Sequence, residues 1–157
     1  LYKWEVAGAL NKAYNVGDAQ QLQLSVEEGS LVTAMGAVTY TGIRDTQIGF
    51  EAAKGFFVDE PDDLLFEVDA PQFALRVTHN AMRETLVWTG AFTVFGLTGE
   101  QGALGRAEVN YTLRDGLKIG GGYVLFVPSE DGENGLLTGM DEHDRIFAKL
   151  RWDFIAF

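Results

Sequence analysis

The sequence predicts an all-β protein: an antiparallel, transmembrane, up-and-down β-barrel with about eight to nine strands. Three observations lead there. Apolar and polar residues alternate with period two along almost the whole chain, and helical periodicity is nearly absent. Many alternating segments run roughly 10 to 14 residues, long for soluble strands but suited to a tilted bilayer crossing. Aromatic residues gather at segment ends, where an outward-facing apolar band would meet the two interfaces.

The segments follow in order. "YKWEVAGAL" sets Tyr2, Trp4 and Val6 against Lys3, Glu5 and Ala7. "QLQLSVE" sets Leu22, Leu24 and Val26 against Gln21, Gln23 and Glu27, and "VTAMGAVTY" sets Val32, Ala34, Val38 and Tyr40 against Thr33, Met35 and Thr39. "QIGFEA" opposes Ile48 and Phe50 to Gln47 and Glu51; "QFALRVT" opposes Phe73, Leu75 and Val77 to Gln72, Arg76 and Thr78. "TLVWTGAFTV" carries Trp88, Phe92 and Val94 on one face, "RAEVNYTL" Val109 and Tyr111, and "LKIGGGYVLFV" Ile119, Tyr123 and Leu125. The last segment, "RIFAKLRWDF", sets Ile146, Leu150, Trp152 and Phe154 against Lys149, Arg151 and Asp153. That makes about nine segments.

Turn chemistry makes neighbours antiparallel. In "LRDGL" a three-residue loop ending at Gly116 pairs Leu113 with Leu117, Tyr111 with Ile119 and Val109 with Gly121, which keeps every apolar side chain on one face. "HNAMRE" joins Val77 to Leu86 through another tight turn, in which His79 falls. "FVDEPDDLLFEVDAP" and "PSEDGENGLLTGMDEHD" are instead long and acidic, so short and long connections alternate, as they do in membrane barrels.

Composition narrows the class further. The 157 residues suit a single barrel domain spanning 1–157, and a net charge of -11 argues against a nucleic-acid binder, which needs a basic face. The absence of cysteine excludes disulfides, thiolate metal sites and a cysteine nucleophile. No apolar run is long enough for a transmembrane helix. The start in mid-pattern at Leu1, without a methionine, reads as a mature or truncated product.

The same alternation also fits a soluble antiparallel barrel that binds a ligand, with the apolar face inward. Strand length and the aromatic ends favour the inverse arrangement, and so does the texture of the polar face. That face mixes Thr, Gly, Gln and Ala with charges of both signs and little Lys, as suits a crowded lumen. Glu51, Arg76, Arg106, Glu108, Lys118, Lys149, Arg151 and Asp153 are then the candidate lumen and selectivity residues, with Lys3 and Glu5 on the same face. Trp4, Tyr40, Trp88, Tyr111, Tyr123, Trp152 and Phe154 are the candidate interface aromatics.

No enzyme emerges. His143 in "DEHDR" has carboxylates nearby, but no second catalytic cluster accompanies it, and Ser25, Ser30 and Ser129 lie in no nucleophile motif. "GLTGEQGALG" and "IGGGY" lack the Lys-Ser/Thr of a phosphate loop; the glycines 120–122 instead relieve crowding, inside the barrel or against a neighbouring strand. The acidic loop lacks EF-hand spacing, so it offers at most loose bridging of divalent ions to lipopolysaccharide. No cofactor motif appears, and the oligomeric state stays open.

An alternating final strand closing on an aromatic-x-Phe element, here "RWDF", resembles the C-terminal signal of bacterial outer-membrane barrels. The usual pattern stops at that Phe, whereas here "IAF" follows. "RETLVWTGAFTVFG", "GALGRAEVNYTLRDGLKIGGGYVLF", "YKWEVAGALNKAYNVGDA" and "VTYTGIRDTQIGFEAAKG" are similar to hairpins of a porin-like group of proteobacterial outer-membrane proteins. The resemblance implies an outer-membrane location, contact with lipid and lipopolysaccharide, and recognition of the last strand by the barrel-insertion machinery. It also implies a channel or transport role without an assigned substrate. A small structural or adhesive barrel with acidic outer loops is the alternative.

With nine strands and the C-terminus in the periplasm, Leu1 would lie outside, which a complete barrel forbids. Either one strand is miscounted, with "QLQLSVEEGSLV" the weakest segment, or strands precede Leu1. The mid-strand start and the resemblance favour the C-terminal portion of a larger barrel.

Overall fold

The computed structural model describes residues 1–18, 23–62, 64, 68–114, 116–129, 137, 140 and 142–153, without the side chains of residues 18, 23 and 24. Eight strands and no helix are found among them. They are β1 (Tyr2–Asp18), β2 (Gln23–Ile43), β3 (Thr46–Asp59), β4 (Gln72–Ala81), β5 (Leu86–Phe95), β6 (Ala103–Arg114), β7 (Leu117–Val127) and β8 (Arg145–Trp152). They form one antiparallel sheet in the up-and-down order β1-β2-β3-β4-β5-β6-β7-β8. β1 and β8 are not paired with each other, so the sheet is open.

The ninth segment disappears because residues 23–27 and 32–40 belong to one 21-residue strand, β2; Gln21 and Leu22 of the predicted segment lie outside the described residues. Glu28, Gly29 and Ser30 interrupt the alternation and read as a turn. In the fold, however, Gly29 pairs with Lys12 across β1, and Ser30 with Asp59 across β3. Gly29 is there for space: a Cβ would come within 2.7 Å of Pro61 Cδ, in the connection that folds back over this end of β2. An even count also changes the position of Leu1. Its amine donates to Thr39 O at 2.8 Å, near the β2–β3 turn, while the Asp153 amide donates to Gly116 O at 2.6 Å, at the β6–β7 turn. Both ends of the sheet's path therefore lie at the short-turn end.

The predicted register of the β6–β7 hairpin holds from Tyr111↔Ile119 through Val109↔Gly121. Close to the turn it differs. Arg114, not Leu113, faces Leu117, and the ladder shifts between Thr112 and Arg114, so Leu113 is the bulged residue. Gly116 has the positive φ, 77°, expected of its place in the turn; Asp115 lies outside the described residues. His79 is not in a turn. It sits in β4 opposite Trp88, and its Nδ1 lies 2.8 Å from Thr46 Oγ1.

The strand ends joined through residues 44–45, 82–85 and 115–116 lie at one end of the sheet, and those joined through 60–71, 96–102 and 128–144 at the other. Pro61, Leu64 and Asp69 of the 60–71 connection pack near β1–β3. Asp69 lies against Gly55, and Leu64 bridges Val16 on the outer edge of β1, beside the Tyr14–Phe57 edge-to-face pair with ring centroids 5.5 Å apart. Tyr14, Val16, Ala70, Ala103 and Leu137 are the buried apolar residues, and no large side chain among the described residues is fully buried. Most of the exposed large apolar residues of the strands instead line one face, while Phe57, Phe126 and Phe147 fall on the other.

Candidate functional site

Residues directly opposite one another in adjacent strands share a face, so the register reads out each face row by row. One apolar row runs Val38, Phe50, Leu75, Phe92, Gly105, Leu125. A second runs Tyr40, Ile48, Val77, Gly90, Ala107, Tyr123, Ile146. This face is open: Trp4 is 82% exposed and Ile146 87%. Among the predicted interface aromatics, Trp4, Tyr40, Trp88, Tyr111 and Trp152 stand exposed on it toward the short-turn end. Tyr123 lies nearer the other end, where its hydroxyl donates to Asp144. Phe154 is outside the described residues.

The opposite face carries the charges. One row reads Thr39, Gly49, Arg76, Ala91, Arg106, Val124, Arg145. The next toward the short turns reads Gln47, Thr78, Thr89, Glu108, Gly122, Phe147. Beyond it come Asn80, Val87, Asn110, Gly120 and Lys149, and then Thr112, Lys118 and Arg151. Seven of the eight predicted lumen residues therefore belong to this face by strand parity, Glu51 through its place opposite Ala74; Asp153 follows the end of β8. Arg145 joins them. Sequence reading missed it because it sits at the first position of β8, although its even spacing from Lys149 and Arg151 was a usable signal.

Glu108 is the hub. Its side chain is only 11% exposed and accepts from Arg106 Nη2 at 2.6 Å, from Asn110 Nδ2 at 2.6 Å and from Lys149 Nζ. Three donors satisfy a carboxylate that would otherwise be costly to shield from water. Arg106 also lies over the Phe147 ring, 4.9 Å from its centroid, so an aromatic platform fixes a second side of the guanidinium. Glycines on β7 make this cluster possible. A Cβ at Gly122 would come within 2.6 Å of Phe147 Cζ, and one at Gly120 within 2.9 Å of Lys149 Cε. The predicted relief of crowding is thus specific: β7 is hollowed so that β8 can lay Phe147 and Lys149 across it.

The remaining charges fall into two kinds. Lys3 and Glu5 pair at 3.1 Å, and Arg151 with Asp153 at 2.7 Å. Arg76, Lys118, Arg145 and Glu51 form no ion pair among the described residues. Arg76 and Glu51 share a cavity of about 460 Å³ with Thr39, Gln47, Thr78 and Thr93. Lys118, Lys149 and Arg151 line another, of about 310 Å³, with Asn110 and Thr112.

At the long-connection end, Glu100 closes a tight loop. Its carboxylate accepts from the Leu97 amide at 3.0 Å and from the Thr98 amide and hydroxyl at 2.8 and 2.9 Å. Its own backbone amide, then Thr98 and Leu97, lower its pKa from the ordinary 4.5 to about 2. Asp144 is similarly held below the usual carboxylate range, by the Tyr123 hydroxyl and the Phe126 amide. His143 has no side-chain hydrogen bond to another group among the described residues. Its amide donates to Met140 O at 3.0 Å, Asp141 lies outside the described residues, and no group of three or more potential metal ligands occurs among the described residues.

No protein-family model, curated protein or solved structure matches the chain.

Proposed function

We propose that the sheet is wall of a membrane-spanning β-barrel pore, of the outer-membrane type, with the apolar face toward lipid and the charged face toward a water-filled lumen. The observation that carries this reading is the division of the faces. Large apolar side chains stand exposed in continuous rows, while the opposite face holds an organised ion-pair cluster around Glu108. A water-soluble sheet does the reverse, because covering apolar area contributes about 25 cal/mol per Å². The gathering of short turns at one end and acidic, longer connections at the other supports the same arrangement.

The open edges bear on width. In lipid an unpaired strand edge leaves backbone groups without partners at several kcal/mol each, so β1 and β8 require neighbours. A closed eight-stranded barrel fills its interior with side chains. Here no large side chain is fully buried among the described residues, and cavities lie along the polar face. That favours a wider wall, completed by further strands, over closure of β8 onto β1. Within this reading the chain passively conducts small hydrophilic solutes, its neighbours are outer-membrane lipid and lipopolysaccharide, and its last strand serves recognition by the insertion machinery.

Planar-bilayer conductance of the detergent-refolded protein tests the pore. Stable current steps that scale with salt concentration are expected. A folded, heat-modifiable sheet that inserts into bilayers without conducting would overturn it and leave a structural or adhesive barrel.

A further inference from the structure

We infer that Arg76, Arg106 and Arg145 form an anion-binding track along the polar face, one that receives solutes bearing a carboxylate or phosphate group. The inference rests on the lumen reading above and deepens it by naming the charge of what enters.

The track is a consequence of register. Arg76 is opposite Ala91, Ala91 opposite Arg106, Arg106 opposite Val124, and Val124 opposite Arg145. Three arginines therefore stand in one row on every second strand, β4, β6 and β8. With strands about 4.8 Å apart, successive arginine backbones are roughly 9.6 Å apart. The intervening positions, Ala91 and Val124, are small or uncharged, so no acid interrupts the row.

Two of the nearby acids are engaged elsewhere, whereas Glu51, which lines the same cavity as Arg76, forms no ion pair among the described residues and leaves the guanidinium unpaired. Glu108 engages Arg106 by one guanidinium nitrogen while also holding Lys149 and Asn110. Asp144, next to Arg145 in the chain, accepts from the Tyr123 hydroxyl and from the Phe126 amide at 2.9 Å. Arg76 and Arg145 form no ion pair among the described residues, and Arg76 opens into the cavity of about 460 Å³ lined by Thr39, Gln47, Thr78 and Thr93, with Glu51 as its one carboxylate. Hydroxyl and amide groups around a guanidinium suit a hydrated oxyanion. The planar fork of arginine matches two oxygens of a carboxylate or phosphate at once, which a lysine cannot do.

Composition makes the excess significant. The chain as a whole carries a net charge of -11, yet on β4 to β8 the polar face bears Arg76, Arg106, Lys118, Arg145, Lys149 and Arg151 against Glu108, with Asp153 pairing Arg151 just past β8. In the sequence the acids are concentrated instead in the two long connections, 60–71 and 128–144. A basic inner stripe in an acidic protein is a local field, and in a narrow water-filled space such a field selects the sign of the permeating ion.

Binding of inorganic pyrophosphate to the protein refolded in a detergent without phosphate headgroups tests the track independently of conductance. Isothermal titration should show saturable binding that weakens about tenfold or more in Arg76→Gln/Arg145→Gln, since the charge-assisted contacts to the anion are lost. Arg76→Lys/Arg145→Lys should recover part of it, and heat-modifiability of each variant verifies that it folds. Absence of saturable binding, or equal affinity in the glutamine variant, would overturn the track. Reversal potentials under a KCl gradient complete the test: wild type should prefer anions, and Arg76→Glu/Arg145→Glu should shift the preference toward cations. Current steps with cation preference in the wild type contradict the track while leaving the pore intact. Pyrophosphate binding without current steps supports the track and contradicts the pore.

Discussion

Glu108 shows how one side chain organises a face. It is largely shielded while its partners Arg106 and Lys149 remain about half exposed, so the pairs are worth less than a fully buried triad would be. Glu108→Gln should cost about 1–2 kcal/mol in urea unfolding from lipid vesicles, by leaving two cations short of a counter-charge. A double-mutant cycle with Lys149→Met should return a positive coupling, whereas additive effects would mean that the contact contributes nothing. Glu100 gives a pH prediction. Its folded pKa is depressed from 4.5 to about 2, so its contribution to the 96–102 loop is complete above the ordinary value and lost as pH falls through the folded one. An NMR titration should place its carboxyl midpoint near 2, and a midpoint at the ordinary value would show that the loop amides do not hold it. The faces of these residues were legible in the sequence, because strand parity is local. Their grouping was not: the arginine row and the Glu108 hub depend on register between strands, which alternation alone does not set.

At the level of the elements, local sequence chemistry was informative where a turn was short and misleading where tertiary contact took over. The β6–β7 register followed from keeping apolar residues on one face, apart from the bulge at Leu113. The continuity of β2 did not, because Gly29 and Ser30 look like a turn until the 60–71 segment is laid over them. The β4–β5 turn has its own irregularity: Met82, Arg83 and Glu84 all take positive φ, at 52°, 57° and 68°. Non-glycine residues there cost about 1 kcal/mol or more each, so Arg83→Gly should raise unfolding stability by about 1 kcal/mol. On β7 the requirement is the opposite. Gly122→Val should destabilise by about 1–3 kcal/mol, since Phe147 and the Ala107 carbonyl already occupy that space. It should also release Arg106 from its ring, readable as a shift in the guanidinium NMR resonances.

For the molecule as a whole, the decisive question is which face meets water. Alternation told the sequence reader that two faces exist, and the sheet arranges them as continuous apolar and polar rows. The orientation was harder to read because a soluble barrel shows the same period. It becomes arguable only through the exposed apolar rows, the absence of a large buried core among the described residues and the open edges of β1 and β8. All three tryptophans, Trp4, Trp88 and Trp152, stand exposed on the apolar face. The measurement that tests the account most directly is therefore tryptophan fluorescence of the protein refolded into bilayers, with quenching by brominated lipid compared with quenching by aqueous iodide. The account predicts strong quenching by bromines in the acyl chains and protection from iodide. Efficient iodide quenching with no effect of brominated lipid would place the apolar face away from the membrane and contradict the assignment of the two faces.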